Sequence, residues 1–325
     1  MDVLSIAELR ALMREPTAPA SPLLAQPLLL VDSAAAQGFD DARVLDWLKR
    51  IPAPVIAVGG DAGPLSRACD VHVPDTDAAL RLRKAIVDCP LAASTLVQTL
   101  RLTQKLDAEN GLVAESLAYA SLQNAAEFRR WQHAHEPAST PDESGAAVEL
   151  HREGERLSLT LNRPLNRNAM TVEMRDALIE ALTLALLDDG VRSVDIRARG
   201  RCFSTGGDLR EFGSAPDPST AHAVRGLALP GRLLAMLAER TTVYLHGACI
   251  GSGIEFPAFA GRLVATRDAW FQLPELRYGL IPGAGGTVSI ARRIGRQRTA
   301  WLALSGQRID ARTAKLWGLV DAIDG

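Results

Sequence analysis

The 325-residue sequence lacks the features that mark membrane, secreted or metal-binding proteins. No apolar run reaches the roughly 18–20 residues that a membrane-spanning helix needs. The first residues mix acids, bases and apolar side chains, which is not the pattern of a signal peptide. The four cysteines are far apart and form no CxxC pair, which predicts free buried thiols. The histidines form no HExxH motif, so we expect no metal.

An excess of charge is also absent. The chain has 36 Lys and Arg residues against 38 Asp and Glu residues, so its net charge of −2 offers no attraction to nucleic acid. Hydrophobic residues make up 47% of the chain and charged residues 23%, a globular composition. We therefore expect a cytoplasmic enzyme that has neither a nucleic acid nor a membrane as its partner.

A small, polar segment with two prolines, 136–147, is typical of a linker and divides the chain. Before it, residues 1–76 alternate short apolar strands with helical patterns, which predicts a parallel α/β region. Residues 77–135 follow as a helical segment. Strands are predicted near 27–32, 54–58 and 69–73, and a helix at 41–50. In the helical segment, Pro90 separates the first two helices, and the last helix is expected at 112–131.

After the linker, residues 148–325 form a second α/β region. Alternating apolar and polar residues around a turn predict a β-hairpin at 148–161. Thr171 is a suitable N-cap for a helix that runs to Asp189, with Gly190 at its end. A strand at 191–198, a helix at 220–239 and a strand at 242–246 are expected to follow.

Three glycine-marked segments, 200–209, 246–256 and 273–287, are the candidates for chemistry. Glycine lets a ligand approach backbone N–H groups closely. A pair of such groups can stabilise the negative charge that develops on a thioester oxygen during catalysis. The plainer alternative for any one segment is a tight turn. A Ser-His-Asp hydrolase is rejected, because Ser252 does not have the glycine spacing of a GxSxG elbow.

Taken in order, these segments resemble the crotonase (enoyl-CoA hydratase/isomerase) superfamily. The resemblance covers about residues 148–324. It rests on three strings, with weaker matches at 161–170, 292–295 and 304–320. The strings are Phe203-Ser-Thr-Gly-Gly-Asp208, Gly251-Ser-Gly-Ile-Glu255, and Leu273-Pro-Glu275 followed by Gly279-Leu-Ile-Pro-Gly-Ala-Gly-Gly286. A crotonase-like core built from ββα repeats is therefore expected in the C-terminal half.

The resemblance implies roles for particular residues. The backbone N–H groups of Thr205 and Ser252 would form an oxyanion hole. Glu255 and Glu275, which lie 20 residues apart as in the family's hydratases, would be the acid/base pair. Residues near the motifs, including basic groups expected to meet the phosphates of coenzyme A, would bind the substrate: Phe203, Gly206, Gly207, Asp208, Gly251, Gly283, Arg163, Arg201 and Arg210. Asp208 would also cap its own loop, and the pocket walls are expected among Phe212, Leu229, Met236, Trp270 and Tyr278.

The pair of glutamates favours an enoyl-CoA hydratase, which adds water across the 2,3 double bond with no cofactor beyond the coenzyme A of its substrate. An enoyl-CoA isomerase, or another crotonase-type lyase or hydrolase, is the first alternative. A non-catalytic acyl-CoA-binding or assembly protein is the second. The resemblance also implies a homo-oligomer, a trimer or a hexamer.

The chain departs from the family pattern after Asp321, where further helices usually follow. Segments resembling those helices lie upstream instead, at 79–93, 111–120 and 127–131. We therefore expect residues 1–76 to be a degenerate crotonase-like remnant, and the helices of 77–135 to replace the missing ones by a circular permutation. A generic accessory domain that docks elsewhere is the alternative.

Overall fold

The computed structural model describes residues 3–36, 38–135, 139 and 143–324. Its first part is a small α/β unit in which three strands pair in parallel in the order β1-β2-β3. The elements of this unit are α1 (Ile6–Leu12), β1 (Leu29–Asp32), α2 (Ala42–Leu48), β2 (Val55–Val58), α3 (Pro64–Ala68) and β3 (Val71–Val73).

This small sheet faces two cores, because successive strand residues point to opposite sides. Leu30 and Ile56 lie in a large cluster that also contains the interior of the downstream half. Leu29 and Val55 lie in a separate cluster with Leu48 of α2. The sheet therefore packs its outer face on its own helices and its inner face on the rest of the molecule.

Four helices follow the sheet: α4 (Thr76–Asp88), α5 (Pro90–Thr103), α6 (Ala108–Leu122) and α7 (Ala126–Ala134). Pro90 begins α5, as predicted. The prediction of one helix over 112–131 was wrong, because the helix ends at a cap on Gln123 and α7 starts again at Ala126. The apolar pattern continues across this break, so periodicity alone does not reveal it.

A six-stranded sheet with the order β12-β9-β7-β6-β5-β4 is the centre of the downstream half. The predicted hairpin is confirmed as the antiparallel pair β4–β5, and the other neighbours are parallel. A smaller sheet has the order β11-β10-β8. The elements are β4 (Val148–Glu153), β5 (Arg156–Leu161), α8 (Val172–Leu187), β6 (Ser193–Ala198), α9 (Pro218–Leu227), α10 (Pro230–Met236), β7 (Thr241–Leu245), β8 (Ala248–Ile250), α11 (Ser252–Glu255), β9 (Arg262–Thr266), β10 (Trp270–Gln272), α12 (Gly286–Ile294), α13 (Arg296–Ser305), β11 (Ile309–Asp310), α14 (Ala311–Trp317) and β12 (Ala322–Asp324).

Two helix boundaries in this half differ from expectation. The Thr171 hydroxyl accepts the Met174 N–H at 3.1 Å and caps α8 as predicted, but Asp188, not Gly190, ends that helix. The single helix expected at 220–239 is two helices. Pro230 begins the second, because proline lacks the N–H that would continue the first.

The upstream helices pack directly on the downstream half. Helix α12 contacts α5 and α6, and α13 contacts α4 and α5. Asp70 adds a polar link, because its carboxylate accepts the Val55 N–H at 2.9 Å, Arg101 Nε at 2.8 Å and Arg296 Nη1 of α13 at 2.7 Å. The two halves therefore share one interior and one buried ion-pair network.

The predicted linker, 136–147, falls in part outside the described residues, which omit 136–138 and 140–142. Its described end is bound to the downstream half. The Glu143 carboxylate accepts the backbone N–H groups of Leu165 at 3.1 Å and Asn166 at 3.0 Å. The carbonyl of Gly145 accepts a hydrogen bond of 2.8 Å from Arg163.

Candidate active site

The first two glycine segments lie side by side. Ser204 N donates to the Ala248 carbonyl at 3.2 Å, and Ile250 N donates to the Ser204 carbonyl at 3.1 Å. A Cβ atom on Gly206, whose φ is +88°, would lie 2.7 Å from the Ile250 carbonyl oxygen. Glycine is needed here because the backbones approach so closely and because φ is positive. The loops that follow these paired segments therefore begin next to each other.

The structure changes one member of the expected oxyanion hole. The Thr205 N–H donates to the Arg167 carbonyl at 3.2 Å, so it is not available to a ligand. Among the described residues, the N–H groups of Gly207 and Ser252 have no acceptor. Both lie three residues beyond the bridge that pairs Ser204 with Cys249. Of the two N–H groups expected to form the oxyanion hole, that of Ser252 is thus without a protein acceptor among the described residues, and on the first loop the N–H without an acceptor is that of Gly207, not of Thr205.

Ser252 has a second unpaired donor. Its hydroxyl oxygen is buried and has no hydrogen-bond partner among the described residues. Buried polar groups are rarely left without partners, and those that are often mark places where a ligand or water binds. The beginning of α11 thus presents both an N–H and an O–H with no protein acceptor.

Glu255 lies one turn further along α11 and is buried. Its Oε2 accepts the N–H groups of Ala284 at 2.8 Å and Gly286 at 3.0 Å. The third glycine segment therefore does not offer these donors to the phosphates of coenzyme A. It uses them to fix one oxygen of a carboxylate and leaves Oε1 without a donor among the described residues.

Glu275 begins a 3₁₀ turn over Glu275–Tyr278 and is also buried. Its Oε2 has no hydrogen-bond partner in the described part of the chain. A Cβ atom on Gly251 would lie 2.5 Å from Glu275 Oε1 and 3.8 Å from Glu255 Oε1. The structure thus brings the two predicted glutamates together above Gly251, immediately before Ser252.

Burial raises the pKa of both carboxyl groups. That of Glu275 rises to about 8, and the carboxyl of Glu115 adds to the effect. The pKa of Glu255 rises well above its usual value, because burial and the neighbouring Glu275 and Glu115 disfavour a negative charge. Two neighbouring buried carboxyl groups whose pKa values are both raised titrate as a pair, and such a pair can supply an acid and a base.

Glu115 of α6 is a third buried glutamate of the site, and the sequence analysis did not identify it. Its carboxylate accepts the N–H of Gly285 at 2.7 Å, and the N–H and hydroxyl of Thr287 at 2.8 Å and 2.7 Å. Burial raises its pKa to about 7, even though these donors favour the ionised form. The N–H groups of 284–287 therefore bind Glu255 and Glu115 alternately. The sequence did carry one indication of this residue, because Glu115 lies in 111–120, a segment expected to resemble a helix of the family.

A cavity of about 420 Å³ adjoins the loops of the site: Asp208, Gly283 and Ala284 line it, whereas Glu255, Glu275, Gly207 and Ser252 are not among its lining residues. Of the expected wall residues, Phe212 and Leu229 line it, whereas Met236, Trp270 and Tyr278 do not. Met236 instead has 64% of its surface exposed. Helix α6 supplies Tyr119, which is buried and whose ring lies where a side chain on Gly283 would project. Gly283 thus gives room to Tyr119, which forms part of the cavity wall.

Two of the three basic residues expected to meet phosphate have partners within the protein. Arg163 is buried, and its guanidinium binds Glu173 and the carbonyls of Gly145, Ala146 and Asn162, so the structure gives no support to its expected role in substrate binding. Arg210 is paired with Asp208. Arg201 is exposed, and its role in substrate binding stays a prediction.

The remaining predicted residues support the first loop. Hydrogen bonds from Arg210 lower the pKa of Asp208 to about 2, and Asp208 also accepts a bond of 3.1 Å from Asn166. Phe203 is buried with its ring 6.2 Å from that of Phe256. Gly207 gives room to Phe212, since a Cβ atom on Gly207 would lie 2.6 Å from that ring. Each of these residues holds the loop in place from within the protein.

Three properties concern the described residues as a whole. All four cysteines are free and buried, as predicted. In residues 3–36, 38–135, 139 and 143–324, no group of three or more His, Cys, Asp or Glu side chains is arranged to hold a metal ion. No helix in those ranges is both long and apolar enough to cross a bilayer.

The parallel sheet, the two N–H groups without an acceptor among the described residues, and the paired buried glutamates form a candidate acid/base site. The family model described as enoyl-CoA hydratase/isomerase matches residues 153–325, more than half of the chain. The chain belongs to this family, the crotonase superfamily, as the sequence resemblance indicated.

The chain is 34% identical over 167 residues to the 2,3-dehydroadipyl-CoA hydratase of Escherichia coli, covering 51% of this chain and 65% of that protein. It is 33% identical over 168 residues to the 1,2-epoxyphenylacetyl-CoA isomerase of the same organism, covering 50% of this chain and 64% of that one. The matches thus span less than two thirds of these relatives. A crystal structure of enoyl-CoA hydratase from Thermoplasma volcanium superposes with a TM-score of 0.50 at 31% identity, over 55% of this chain and 72% of that one.

Proposed function

We propose that the protein is an enoyl-CoA hydratase, which adds water across the 2,3 double bond of an enoyl-CoA thioester. The observation that carries this proposal is the convergence of two buried carboxyl groups above Gly251, next to the unpaired N–H of Ser252. Two carboxyl groups can hold one water between them, and an isomerase needs only one such group to move a proton. The relative named as a hydratase is consistent with this choice.

In the proposed mechanism, the N–H groups of Gly207 and Ser252 bind the thioester oxygen and stabilise the enolate that forms there. Glu255 takes a proton from water while the oxygen of that water bonds to the β carbon. Glu275 gives its proton to the α carbon, which completes the addition. The reaction needs no cofactor beyond the coenzyme A of the substrate.

The roles of the two glutamates follow from their partners. Two N–H groups bind Oε2 of Glu255 and stabilise a negative charge on it. Oε2 of Glu275 has no donor among the described residues, so this carboxyl is more easily kept neutral. When the pair holds one proton, we therefore place it on Glu275, which makes Glu275 the acid and Glu255 the base.

The test is the loss of enoyl absorbance when the protein is mixed with crotonyl-CoA and with longer enoyl-CoA thioesters. We expect turnover, and we expect Glu255→Gln and Glu275→Gln each to lower kcat by about 10²–10⁴-fold. Glu155→Gln, at an exposed turn, is the matched control and should leave kcat unchanged. Circular dichroism of each variant confirms that it is folded.

The alternatives give different results in the same assay. An isomerase would convert a 3-enoyl-CoA into a 2-enoyl-CoA, raise the enoyl absorbance, and depend strongly on only one of the two glutamates. A binding or assembly protein would retain acyl-CoA without turnover and would be insensitive to both substitutions. Either outcome would replace the hydratase proposal.

We also propose that the helices of 77–135 take the place of helices that relatives carry after the core, and that residues 1–76 are a degenerate remnant of such a core. The contacts of α12 with α5 and α6, and of α13 with α4 and α5, support the first part. The homo-oligomer stays a prediction. Large exposed apolar side chains on α8, α9 and α10 support it: Leu184, Leu187, Leu227 and Met236.

A further inference from the structure

Arg225 of α9 is a charged residue in the wall of the candidate acyl cavity. Its guanidinium carbon lies 3.9 Å from the centroid of the Tyr119 ring, and its Nη1 donates to the Ala221 carbonyl at 3.3 Å. Among the described residues, no carboxylate lies within ion-pair distance of it. The cavity therefore has in its wall a cation that forms no direct ion pair among the described residues, with Glu115 near enough to interact with it electrostatically.

The other charged groups of this cavity are accounted for within the protein. Arg175 pairs with Asp176 at 2.7 Å, and Asp208 pairs with Arg210. Glu211 accepts the Val172 N–H at 2.8 Å. Most of the remaining wall is apolar, with Met170, Phe212, Val224 and Leu229 among its members. The guanidinium of Arg225 is therefore available to a ligand that binds in the cavity.

The position of Arg225 relates it to the reacting atoms. Tyr119 contacts Gly283, and the next residue, Ala284, donates its N–H to Glu255. Tyr119 interacts electrostatically with Glu255 and Glu275 as well as with Arg225, so its ring lies near all three groups. Arg225 and Ala284 both line the cavity, so a group bound to Arg225 would lie in the same cavity as the loop that holds Glu255.

A guanidinium in such a wall disfavours one class of acyl chain. A purely hydrocarbon tail would remove water from the cation and give no hydrogen bond in return, which costs free energy. A carboxylate pairs with guanidinium through two parallel N–H bonds, the strongest polar contact available to it. We propose that Arg225 selects acyl groups with a carboxylate at the end away from the thioester, so that the substrates are CoA monothioesters of unsaturated dicarboxylic acids. This inference rests on the proposed function, because it names the substrate class of that site.

The test compares two substrate series of equal chain length, from six to ten carbon atoms. One series is the 2-enoyl-CoA thioesters with a methyl end, and the other is the same thioesters with a carboxylate end. We expect kcat/KM to be about 10- to 100-fold higher for the carboxylate series at its best length. Arg225→Met should remove this preference and leave the methyl series equal or faster, while Arg225→Lys should keep part of it. Arg175→Met, which removes a paired cation of the same cavity, should keep the preference.

The inference is wrong if the native enzyme prefers the methyl series, or if Arg225→Met lowers both series alike, since Arg225 would then serve only to support Tyr119. A separate measurement covers failure of the hydratase proposal. The affinities of saturated, unreactive carboxyacyl-CoA and acyl-CoA thioesters are compared by calorimetry with native protein and Arg225→Met. A tenfold or larger preference for the carboxylate that Arg225→Met abolishes supports the inference even without turnover, and equal affinities overturn it.

Discussion

The two halves of the chain use buried carboxyl groups in different ways. In the upstream half, both oxygens of Asp70, Glu115 and Glu127 accept hydrogen bonds from protein donors. In the downstream half, Asp208 is bonded in the same way, but Glu255 and Glu275 each keep an oxygen for which the described residues offer no donor. A fully bonded carboxylate fixes backbone and helices, whereas one with a free oxygen is available to a substrate or a water. The halves therefore divide into a supporting part and a reacting part of one molecule.

The largest expected effect is that the downstream half fails to fold when it is separated from the upstream half. Expression of residues 148–325 alone would expose the apolar faces of α12 and α13 that α4, α5 and α6 cover. We expect aggregation and no activity, because exposed apolar patches of this kind are rare in soluble proteins. Size-exclusion chromatography and the crotonyl-CoA assay measure the outcome. A monodisperse, active fragment would show that the downstream half supports itself and would end the proposal that the upstream helices replace missing ones.

Asp70 provides the next largest effect. Asp70→Asn leaves Arg101 and Arg296 buried without their counter-charge, which should lower the free energy of unfolding by about 3–5 kcal/mol. The activity per folded molecule should not change, because Asp70 belongs only to the supporting part. Urea denaturation and kcat are the two measurements. Asp46→Asn, in an exposed pair with Lys49, is the control and should cost at most about 1 kcal/mol.

Glu115 belongs to the supporting part but binds the same loop as Glu255. Glu115→Gln loses the charge that holds Gly285 and Thr287, and we expect the free energy of unfolding to fall by about 1–3 kcal/mol. We also expect kcat to fall by about 10-fold, because Glu255 loses its fixed position. Glu109→Gln, at an exposed position of the same helix, is the control. An unchanged kcat with lowered stability would show that Glu115 supports the fold alone.

A further expected effect is on the pH dependence of stability. The pKa of Glu275 is raised by burial from 4.5 to about 8, so the folded state keeps a proton that the unfolded state releases. Stability should therefore be full below about pH 4.5 and should fall as the pH rises towards 8. Glu275→Gln removes this titration, so its melting temperature should be less dependent on pH over that window and above that of the native protein at pH 8. Thermal melts between pH 5 and pH 8 decide this, and parallel curves for the two proteins would contradict it.

Local sequence patterns were sufficient to predict much of the secondary structure of the downstream half. The hairpin at 148–161, the Thr171 cap and the position of both glutamates in glycine-marked segments all depend on residues close together in sequence. The errors have a different origin. The roles predicted for Thr205 and Arg163 were not supported, because these residues have partners within the protein, Arg167 and Glu173. Those contacts depend on how a loop folds back, which sequence spacing does not specify.

Glu115 could not be assigned to the site for a related reason. Its partners Gly285 and Thr287 are 170 and 172 residues away along the chain, and no periodicity or motif spans that separation. The apolar pattern of α6 predicts a helix. The loop that meets Glu115 is encoded by a distant part of the sequence, so the pattern of α6 does not reveal the contact. The helices of 77–135 were expected to serve the downstream core, but sequence spacing does not specify which of their residues meets which loop.

The same 172-residue separation has a consequence for synthesis in the cell. At the roughly 5–20 residues per second of translation, Glu115 emerges about 10–30 s before Thr287 exists. During that interval the apolar faces of α5 and α6 have no partner, and long-range contacts of this kind also form slowly afterwards. The nascent chain is therefore a candidate substrate for chaperones, and its yield should depend more on translation speed than that of a chain whose covering helices are made last.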